Sequence, residues 1–313
     1  MKLTVASSPH IHGKFSTNRI MLDVSIALLP ALAVGIVILG IRALLVAALS
    51  VACALLFEWS WCIITKKKNT ITDGSALVTG LLLAMTLPVT VPLWQVVVGN
   101  FFAIIVIKAC FGGLGHNIFN PALAARAFLM LIYPLGITSY PSLDGVSSAT
   151  PLHQMVMPTI PKESLVDMFL GICPGSIGEI SKLALLAGGI YLVVRKVISP
   201  RIPLAYIGTL AILSLIFYKT DNAFIWMAYN VFSGGLILGA VFMATDYTTS
   251  PVTSKGQVLY GIGCGALTLL FRYFGLFPEG ITYAILLMNL CVWGIDRYTS
   301  PARFGTKKGD GKK

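Results

Sequence analysis

The sequence predicts an all-α polytopic membrane protein with about ten transmembrane helices, and its composition is the first observation behind this prediction. Apolar residues make up 56% of the 313 residues and charged residues only 11%, whereas an ordinary soluble domain is about 25% charged. This number of charged residues is too small to cover a surface that faces water. We therefore expect lipid around most of the chain. The net charge of +11 is typical of the lysines and arginines that collect in cytoplasmic loops, and it does not indicate a nucleic-acid partner.

The second observation is a series of apolar stretches, several of which reach the roughly 20 residues that a helix needs to cross a bilayer. A polar, Pro- and Gly-rich stretch separates the first half of the series from the second. In chain order the predicted spans are Ile20–Gly40, Ala43–Ile64, Asp73–Leu87, Leu93–Phe111, Pro121–Leu135, Ile180–Ile198, Pro203–Phe217, Ala223–Ala244, Gln257–Phe274 and Gly280–Ile295.

The third observation is the distribution of the 23 lysines and arginines. When the spans are threaded from a cytoplasmic N-terminus, most of these residues fall on the cytoplasmic side, as the positive-inside rule requires. Both termini are therefore expected in the cytoplasm. The predicted organisation is a cytoplasmic segment (1–19), a first five-helix repeat (20–135), an external loop (136–179), a second five-helix repeat (180–295) and a basic cytoplasmic tail (296–313).

Two of the shorter spans resemble each other. The stretches Ser75–Thr90 and Gly234–Thr253 each carry a glycine six residues before a threonine, Thr86 or Thr245, and then run on to Pro-Val-Thr. In the threading they cross in opposite directions, which is typical of an inverted repeat whose broken helices meet near the membrane midplane. The alternative is a chance likeness between two helices that are rich in small residues.

Three ionisable residues in or beside apolar stretches need an explanation. Asp73 is either a helix N-cap or part of an ion path. Asp246 ends a span, where an acid opposes the helix dipole, so a ligand or ion role is expected at least as much as capping. Arg126 lies in an apolar run and should face a cavity, an acidic partner or an anionic ligand, unless it reaches the membrane edge.

The stretch Gly112–Arg126 reads GGLGHNIFNPALAAR. Its polar turn re-enters a helix at Pro121, and such a turn can present backbone N–H groups to a phosphate or a flavin. Asn120 and Arg126 are therefore candidate cofactor-binding residues, although a loop without a ligand has the same pattern. The six cysteines and four histidines show no spacing of a disulfide framework or a metal site, and no metal site is predicted.

The external loop contains the string SLDGVSSATPLH over residues 142–153. On spacing alone it is a turn, and no Ser/His/Asp order or nucleophile elbow accompanies it. The string resembles the flavinylation motif Asp-Gly-x-Ser/Thr-Gly/Ser-Ala-Ser/Thr, whose last hydroxyl carries FMN through a phosphoester bond. The matching acceptor is Thr150. The other motif positions are Asp144, Gly145, Ser147, Ser148 and Ala149.

Further strings resemble the same family, which unites the D subunit of the Rnf complex with the B subunit of the sodium-pumping NADH:quinone oxidoreductase. They are SPHIH, IMLDVSIALLPA, GHNIFNPALAARAF and MATDYTTSPVT, so the resemblance covers nearly the whole chain. The quinone-reductase subunit has a longer N-terminal extension, and the short segment before the first predicted span therefore favours the Rnf type.

The resemblance implies a urea-transporter-like fold of ten helices in two inverted halves. It implies an electron-transfer subunit, not catalytic alone, of an ion-pumping (Na⁺ or H⁺) ferredoxin:NAD⁺ oxidoreductase in a bacterial cytoplasmic or inner membrane. The implied cofactors are FMN on Thr150, attached by a flavin transferase, and a non-covalent riboflavin that relatives hold. The implied partners are the other Rnf subunits, especially the FMN-bearing G subunit and the membrane A and E subunits.

Two other functions stay open at this point. The first is the B subunit of a Na⁺-translocating NADH:quinone oxidoreductase. The second, of a different class, is a small-solute transporter or channel on the same fold, because a fold does not fix a function. The DGVSSAT loop distinguishes the redox functions from transport, since a transporter has no need of it.

Overall fold

A computed structural model describes residues 16–66, 70–140, 150–155, 159–161, 163–275 and 279–301. Within these ranges all regular structure is helical, which confirms the all-α class. The SPHIH string and most of the DGVSSAT motif lie outside the described residues.

The first five predicted spans each correspond to a helix among the described residues. Ser16 caps the first by accepting from the Arg19 N–H at 3.4 Å. Gly40 joins the first helix directly to the second with φ +82°, a left-handed conformation that glycine adopts without strain. The helices are α1 (Thr17–Leu39), α2 (Ile41–Thr65), α3 (Ser75–Thr86), α4 (Leu93–Ala109) and α5 (Pro121–Ile132).

The fifth span ends earlier than the sequence predicts. One helix is expected over Pro121–Leu135, but α5 ends at Ile132 and Pro134 begins a new helix. Proline disfavours helical backbone at the residue before it, and Tyr133 accordingly has φ −128° and ψ 57°. The predicted external loop also contains short helices. They are α6 (Pro134–Thr138), α7 (Pro151–Gln154) and α8 (Leu165–Leu170).

The described residues of the second half form six long or paired helices, because the predicted span Ala223–Ala244 is broken near its glycines, as the broken-helix interpretation of this span expected. The two pieces meet at 62°, and Gly234 at the break has φ +66°. A Gly-Gly pair supplies the backbone freedom for this bend. The helices are α9 (Lys182–Val194), α10 (Arg201–Ile216), α11 (Ala223–Phe232), α12 (Leu236–Met243), α13 (Ser254–Phe274) and α14 (Ile281–Thr299).

Two of the helices are wound partly as π-helix. The π-helical part covers Phe102–Ala109 in α4 and Gly239–Met243 in α12. In α4 the Cys110 N–H donates to Ile105 O at 3.0 Å, and in α12 the Ala244 N–H donates to Gly239 O at 2.7 Å. Each bond reaches five residues back, whereas a regular α-helix reaches four.

The two short helices α3 and α12 lie in the middle of the molecule. Every residue of α12 is buried, and so is every residue of α3 except the half-buried Leu77. Among the helices around them, α1 packs on α9, α5 packs on α14, and α10 packs on α11 and α13. The helix α3 packs on α2. The segment before α9 closes the end of α3, because the N–H groups of Ile177 and Gly178 donate to Leu87 O at 3.1 Å and Met85 O at 2.7 Å.

Some of the described helices have the length and apolar character of membrane spans. By length and hydropathy α1 and α2 can each cross a bilayer, and the bent pair α11–α12 is a third candidate. Shorter apolar helices of 10–17 residues are α3, α4, α5, α9 and α10. Large apolar side chains such as Val37 (83% exposed) and Ile64 (75%) cover the outside, as lipid contact requires. The chain is therefore a membrane protein, while the number of ten spans and the inverted repeat stay predictions.

Candidate functional site

Thr150 lines a cleft with about 290 Å³ of empty space, which we call the Thr150 cleft. It is half-buried and caps α7, since its Oγ1 accepts from the His153 N–H at 3.2 Å. Pro151 then fixes the first helical residue. The cleft is also lined by Leu152, Met168, Cys173, Glu179, Lys182 and Glu279. The predicted motif residues Asp144, Gly145, Ser147, Ser148 and Ala149 lie outside the described residues.

A group of buried charges, the Arg126 cluster, lies behind the Thr150 cleft. Arg126 on α5 donates to Glu279 Oε2, and its Nη1 lies 3.7 Å from Glu179 Oε1. The Tyr140 hydroxyl donates to Glu279 Oε1 at 2.6 Å. Arg126 is only 4% exposed, and its partners are two acids. An acidic partner is one of the three surroundings that the sequence predicts for this arginine. Its contact with a cofactor stays a prediction. The cluster consists of Arg126, Tyr140, Glu179, Lys182, Arg272 and Glu279.

The Arg126 cluster leaves charged atoms without hydrogen bonds. Among the described residues, Arg126 Nε, Glu179 Oε1 and Arg272 Nε have no hydrogen-bond partner. Arg272 uses its other nitrogens on backbone, with Nη1 donating to Asn230 O and Nη2 to Ser233 O at 3.0 Å. These carbonyls lie where α11 ends. The arginine therefore stabilises the helix break, and the cluster retains unused hydrogen-bonding capacity.

A second cavity, the central cavity, adjoins the Arg126 cluster and holds about 280 Å³ of empty space. Glu179 and Glu279 line both this cavity and the Thr150 cleft, so the two carboxylates form the wall between them. Gly235 makes room for this wall, because a Cβ there would lie 2.7 Å from Glu179 Oε1. The remaining lining residues include Thr86, Leu123, Gly239, Met243 and Thr282.

A separate buried network, the Lys108 network, joins α2, α3 and α4. Lys108 Nζ donates to Glu58 Oε1 and Oε2, both at 2.9 Å, and to Ser75 Oγ at 2.6 Å. Thr70 adds a hydrogen bond to Glu58 Oε1 at 2.7 Å. Sequence reasoning missed this pair. The available signal was a lone acid and a lone base in two neighbouring apolar helices, each of which needs a partner.

Asp73 completes the Lys108 network. Its Oδ1 accepts from the Ser75 N–H at 2.8 Å and from Ser75 Oγ at 2.5 Å. The N-cap of α3 is Gly74, so Asp73 binds the first N–H of α3 from one residue earlier and is not itself the N-cap that one of the two interpretations gave. A role for Asp73 in an ion path stays a prediction.

A third and larger cleft, the Asp246 cleft, holds about 680 Å³ of empty space and is lined by Lys108, Asn117, Asn120 and Asp246. Asn120 caps α5 by accepting from the Ala122 N–H at 3.1 Å, and its Nδ2 donates to Met243 O at 3.2 Å. Asp246 is half-buried. The predicted site residues are thus divided, since Thr150 lines one cleft, Arg126 the central cavity, and Asn120 and Asp246 the third.

Asp246 accepts hydrogen bonds from its own turn. Its Oδ2 accepts from Thr248 Oγ1 at 2.9 Å and Thr249 Oγ1 at 3.2 Å, both in the turn that follows α12. Hydroxyl donors of this kind stabilise a carboxylate without neutralising its charge. The carboxyl group is therefore held in place by its own turn where it lines the Asp246 cleft.

Comparison with known proteins identifies relatives over almost the whole chain. The model of the NQR2, RnfD, RnfE family matches residues 4–305. The D subunit of the Na(+)-translocating ferredoxin:NAD(+) oxidoreductase complex of Acetobacterium woodii is 48% identical, with 98% of this chain and 97% of the relative covered. The D subunit of the proton-translocating ferredoxin:NAD(+) oxidoreductase complex of Clostridium ljungdahlii is 42% identical, with 97% of each covered. The D subunit of the ion-translocating oxidoreductase complex of Stutzerimonas stutzeri is 36% identical, with 93% and 92% covered.

Proposed function

The chain belongs to the NQR2, RnfD, RnfE family, and from this premise we propose that it is a membrane subunit of an ion-translocating ferredoxin:NAD⁺ oxidoreductase complex that relays electrons through FMN joined to Thr150. The observation that carries the cofactor assignment is the position of Thr150, which is half-buried and lines the same cleft as Glu179, Lys182 and Glu279 of the buried charged cluster. The names of the two relatives with 48% and 42% identity support the choice of complex.

The residues around Thr150 fit a phosphoester-linked flavin. Thr150 Oγ1 is held by the backbone of α7, so the point of attachment has a fixed direction. Lys182, a cation, lines the same cleft, and a phosphoester is an anion. FMN, when bound, supplies one- and two-electron transfer, while the chain sets its position and its access to water.

A second, non-covalent flavin is proposed for the Asp246 cleft. Asn117 and Asn120 both line this cleft, and Asn117 Oδ1 is buried without a hydrogen-bond partner among the described residues. A buried amide oxygen of this kind requires an N–H donor, which a flavin ring edge provides. Riboflavin is therefore the second cofactor of the proposal.

The ion path of the proposal runs past Asp246 and Asp73 and carries Na⁺ or H⁺. The relatives do not choose between these ions, because one is named Na(+)-translocating and the other proton-translocating. In Asp246→Asn we expect ion uptake by vesicles to fall while the amount of FMN attached at Thr150 is unchanged. The exposed Asp221→Asn is the matched control. If Asp246→Asn left electron flow and ion uptake untouched, Asp246 would be structural.

The proposal includes an orientation and partners. Both termini face the cytoplasm and Thr150 faces the outer side of a bacterial cytoplasmic membrane, where a flavin transferase and the FMN-bearing G subunit can reach it. The membrane A and E subunits are the proposed neighbours within the bilayer. The positive-inside distribution of lysine and arginine supports this orientation.

The cofactor assignment is tested by the intact mass of the purified full chain, produced with and without a flavin transferase. We expect the wild-type chain to gain the mass of the FMN phosphoester and its denatured band to fluoresce. Thr150→Ala should lose both signals completely. Thr150→Ser, which keeps the hydroxyl, should retain them. A wild-type chain that weighs only its polypeptide after expression with an active transferase would refute the assignment.

A further inference from the structure

Lys182 is a buried cation in an unfavourable position. It is the first residue of α9 and only 3% exposed. Its ammonium has one hydrogen-bond partner among the described residues, the Cys173 Sγ at 3.8 Å. A thiol is a weak acceptor, and burial of an ammonium without a strong partner is costly. A cation at a helix N-terminus is also opposed by the helix dipole. Both costs indicate that an anion belongs beside Lys182.

The neighbours of Lys182 do not supply this anion. Burial raises the pKa of the Cys173 thiol, so the sulfur stays neutral. Glu163 is half-buried, and its carboxylate accepts from Gln154 Nε2 at 3.2 Å. Water screens such a group. Glu179 and Glu279 are the other acids on the cleft wall, and Arg126 is the ion-pair partner of both among the described residues.

The charges of the Arg126 cluster do not balance. Its cations are Arg126, Lys182 and Arg272, and its anions are Glu179 and Glu279. However these five groups are paired, one positive charge remains in a buried environment. Uncompensated buried charge is strongly destabilising. Within the described part of the chain the cluster therefore lacks one negative charge, and Lys182 is the cation with the weakest hydrogen-bond partner.

The start of α9 adds hydrogen-bond donors to this site. Ser181 caps the helix by accepting from the Ala184 N–H at 3.2 Å. The N–H groups of Lys182 and Leu183 have no partner inside the helix, as at every helix start. Such N–H groups at a helix N-terminus favour a phosphate group, and the side chain of Lys182, the first residue of the helix, adds a positive charge to the Thr150 cleft.

We propose that Lys182 and the first N–H groups of α9 form an anion site in the Thr150 cleft, and that this site holds the phosphodiester between Thr150 and FMN. The inference rests on the proposed function. A phosphodiester carries one negative charge, which is the charge that the Arg126 cluster lacks. Lys182 is thus a positioning residue, because it orients the linkage and takes no part in electron transfer.

The test compares the thermal unfolding of the full chain in vesicles, with and without the attached flavin, for wild type and Lys182→Met. Without flavin, Lys182→Met removes the uncompensated charge, so we expect its unfolding temperature to lie above that of wild type. With flavin, the same variant leaves the phosphodiester unpaired. We therefore expect the unfolding temperature of flavin-bound Lys182→Met to lie below that of flavin-bound wild type. Lys182→Arg keeps the charge and should follow wild type in both states. Lys255, an exposed lysine at the start of α13, is the matched control, and Lys255→Met should change neither state.

The outcomes separate this inference from the proposed function. If wild type carries no flavin, the proposed function fails, but the flavin-free comparison still tests the missing charge. If wild type carries flavin and Lys182→Met destabilises both states equally, Lys182 is structural and the inference is overturned. The flavin-free chain is also measured in vesicles of phosphatidylcholine and of phosphatidylglycerol. If phosphatidylglycerol alone stabilises wild type as flavin does, and not Lys182→Met, a lipid phosphate occupies the site and the assignment to the linkage is wrong.

Discussion

The Arg126 cluster and the Lys108 network are both buried groups of charges among apolar helices, but they differ in how completely their hydrogen bonds are satisfied. The Lys108 ammonium donates to three oxygens within 2.9 Å, which uses all three of its protons. The Arg126 cluster leaves Arg126 Nε, Glu179 Oε1 and Arg272 Nε without a hydrogen bond among the described residues.

This difference distinguishes a structural ion pair from a candidate site. A fully satisfied buried network rigidifies the structure around it, whereas buried polar atoms without hydrogen bonds are costly unless a ligand or another group completes them. We therefore interpret the Lys108 network as a link between α2, α3 and α4. The Arg126 cluster, which adjoins the Thr150 cleft, is the region expected to change when a cofactor is attached.

The largest expected loss of stability follows from a change in the Lys108 network, whose hydrogen bonds are satisfied. Lys108→Met leaves the Glu58 carboxylate buried and unpaired, and breaking a buried ion pair in this way costs about 3–5 kcal/mol. Lys108→Met combined with Glu58→Gln should recover much of this loss, because no charge then remains unpaired. A double-mutant cycle on the free energy of unfolding in detergent or vesicles measures both effects. If each variant alone cost nothing, the network would not be a structural link.

Arg126→Met should cost less, although it also removes a cation from two acids. The two carboxylates keep Lys182 and Arg272 as nearby cations and Tyr140 as a donor, so we expect a loss of about 1–3 kcal/mol. The same unfolding measurement on the flavin-free chain checks this. A loss greater than that of Lys108→Met would contradict the distinction between the two regions.

The smallest expected effect is that of Tyr140→Phe. The substitution removes one hydrogen bond to the Glu279 carboxylate, of 2.6 Å, and leaves the ion pair with Arg126 in place. A hydrogen bond to a charged group contributes about 1.5–3 kcal/mol at most, and here Arg126 compensates part of the loss, so about 1 kcal/mol is expected. Tyr298→Phe, at a residue 91% exposed, should have no measurable effect. A Tyr140→Phe loss as large as that of Arg126→Met would mean that the hydroxyl, not the guanidinium, holds Glu279.

Most helices can be predicted from the sequence because membrane helices are long apolar runs with few exceptions. The break between α11 and α12 is visible as a Gly-Gly pair within such a run. The apolar run of α5 continues to Leu135 although the helix ends at Ile132, because Pro134 disfavours helical backbone at Tyr133 without interrupting the apolar pattern. The number of membrane spans depends on how far each helix extends through the bilayer. An apolar run alone does not fix that extent.

The candidate site can be predicted only in part. Sequence patterns identify Thr150 and Arg126, because a motif and a charge in an apolar run are local signals. They do not identify Glu179, Glu279 or Lys182, because these lie in or beside polar segments where a charge is common. Their partners come from distant parts of the chain, and such contacts follow from tertiary packing.

The π-helical turns of α4 and α12 set which way the residues after them face. A wide turn of this kind accommodates one more residue than a regular turn. If the extra residue were wound into a regular α-helix instead, the residues after it would be rotated by about 100° relative to those before it, and Lys108 would point away from Glu58. Homologues that are one residue shorter between residues 102 and 109 should therefore have a regular turn there and keep the same lysine–glutamate pairing.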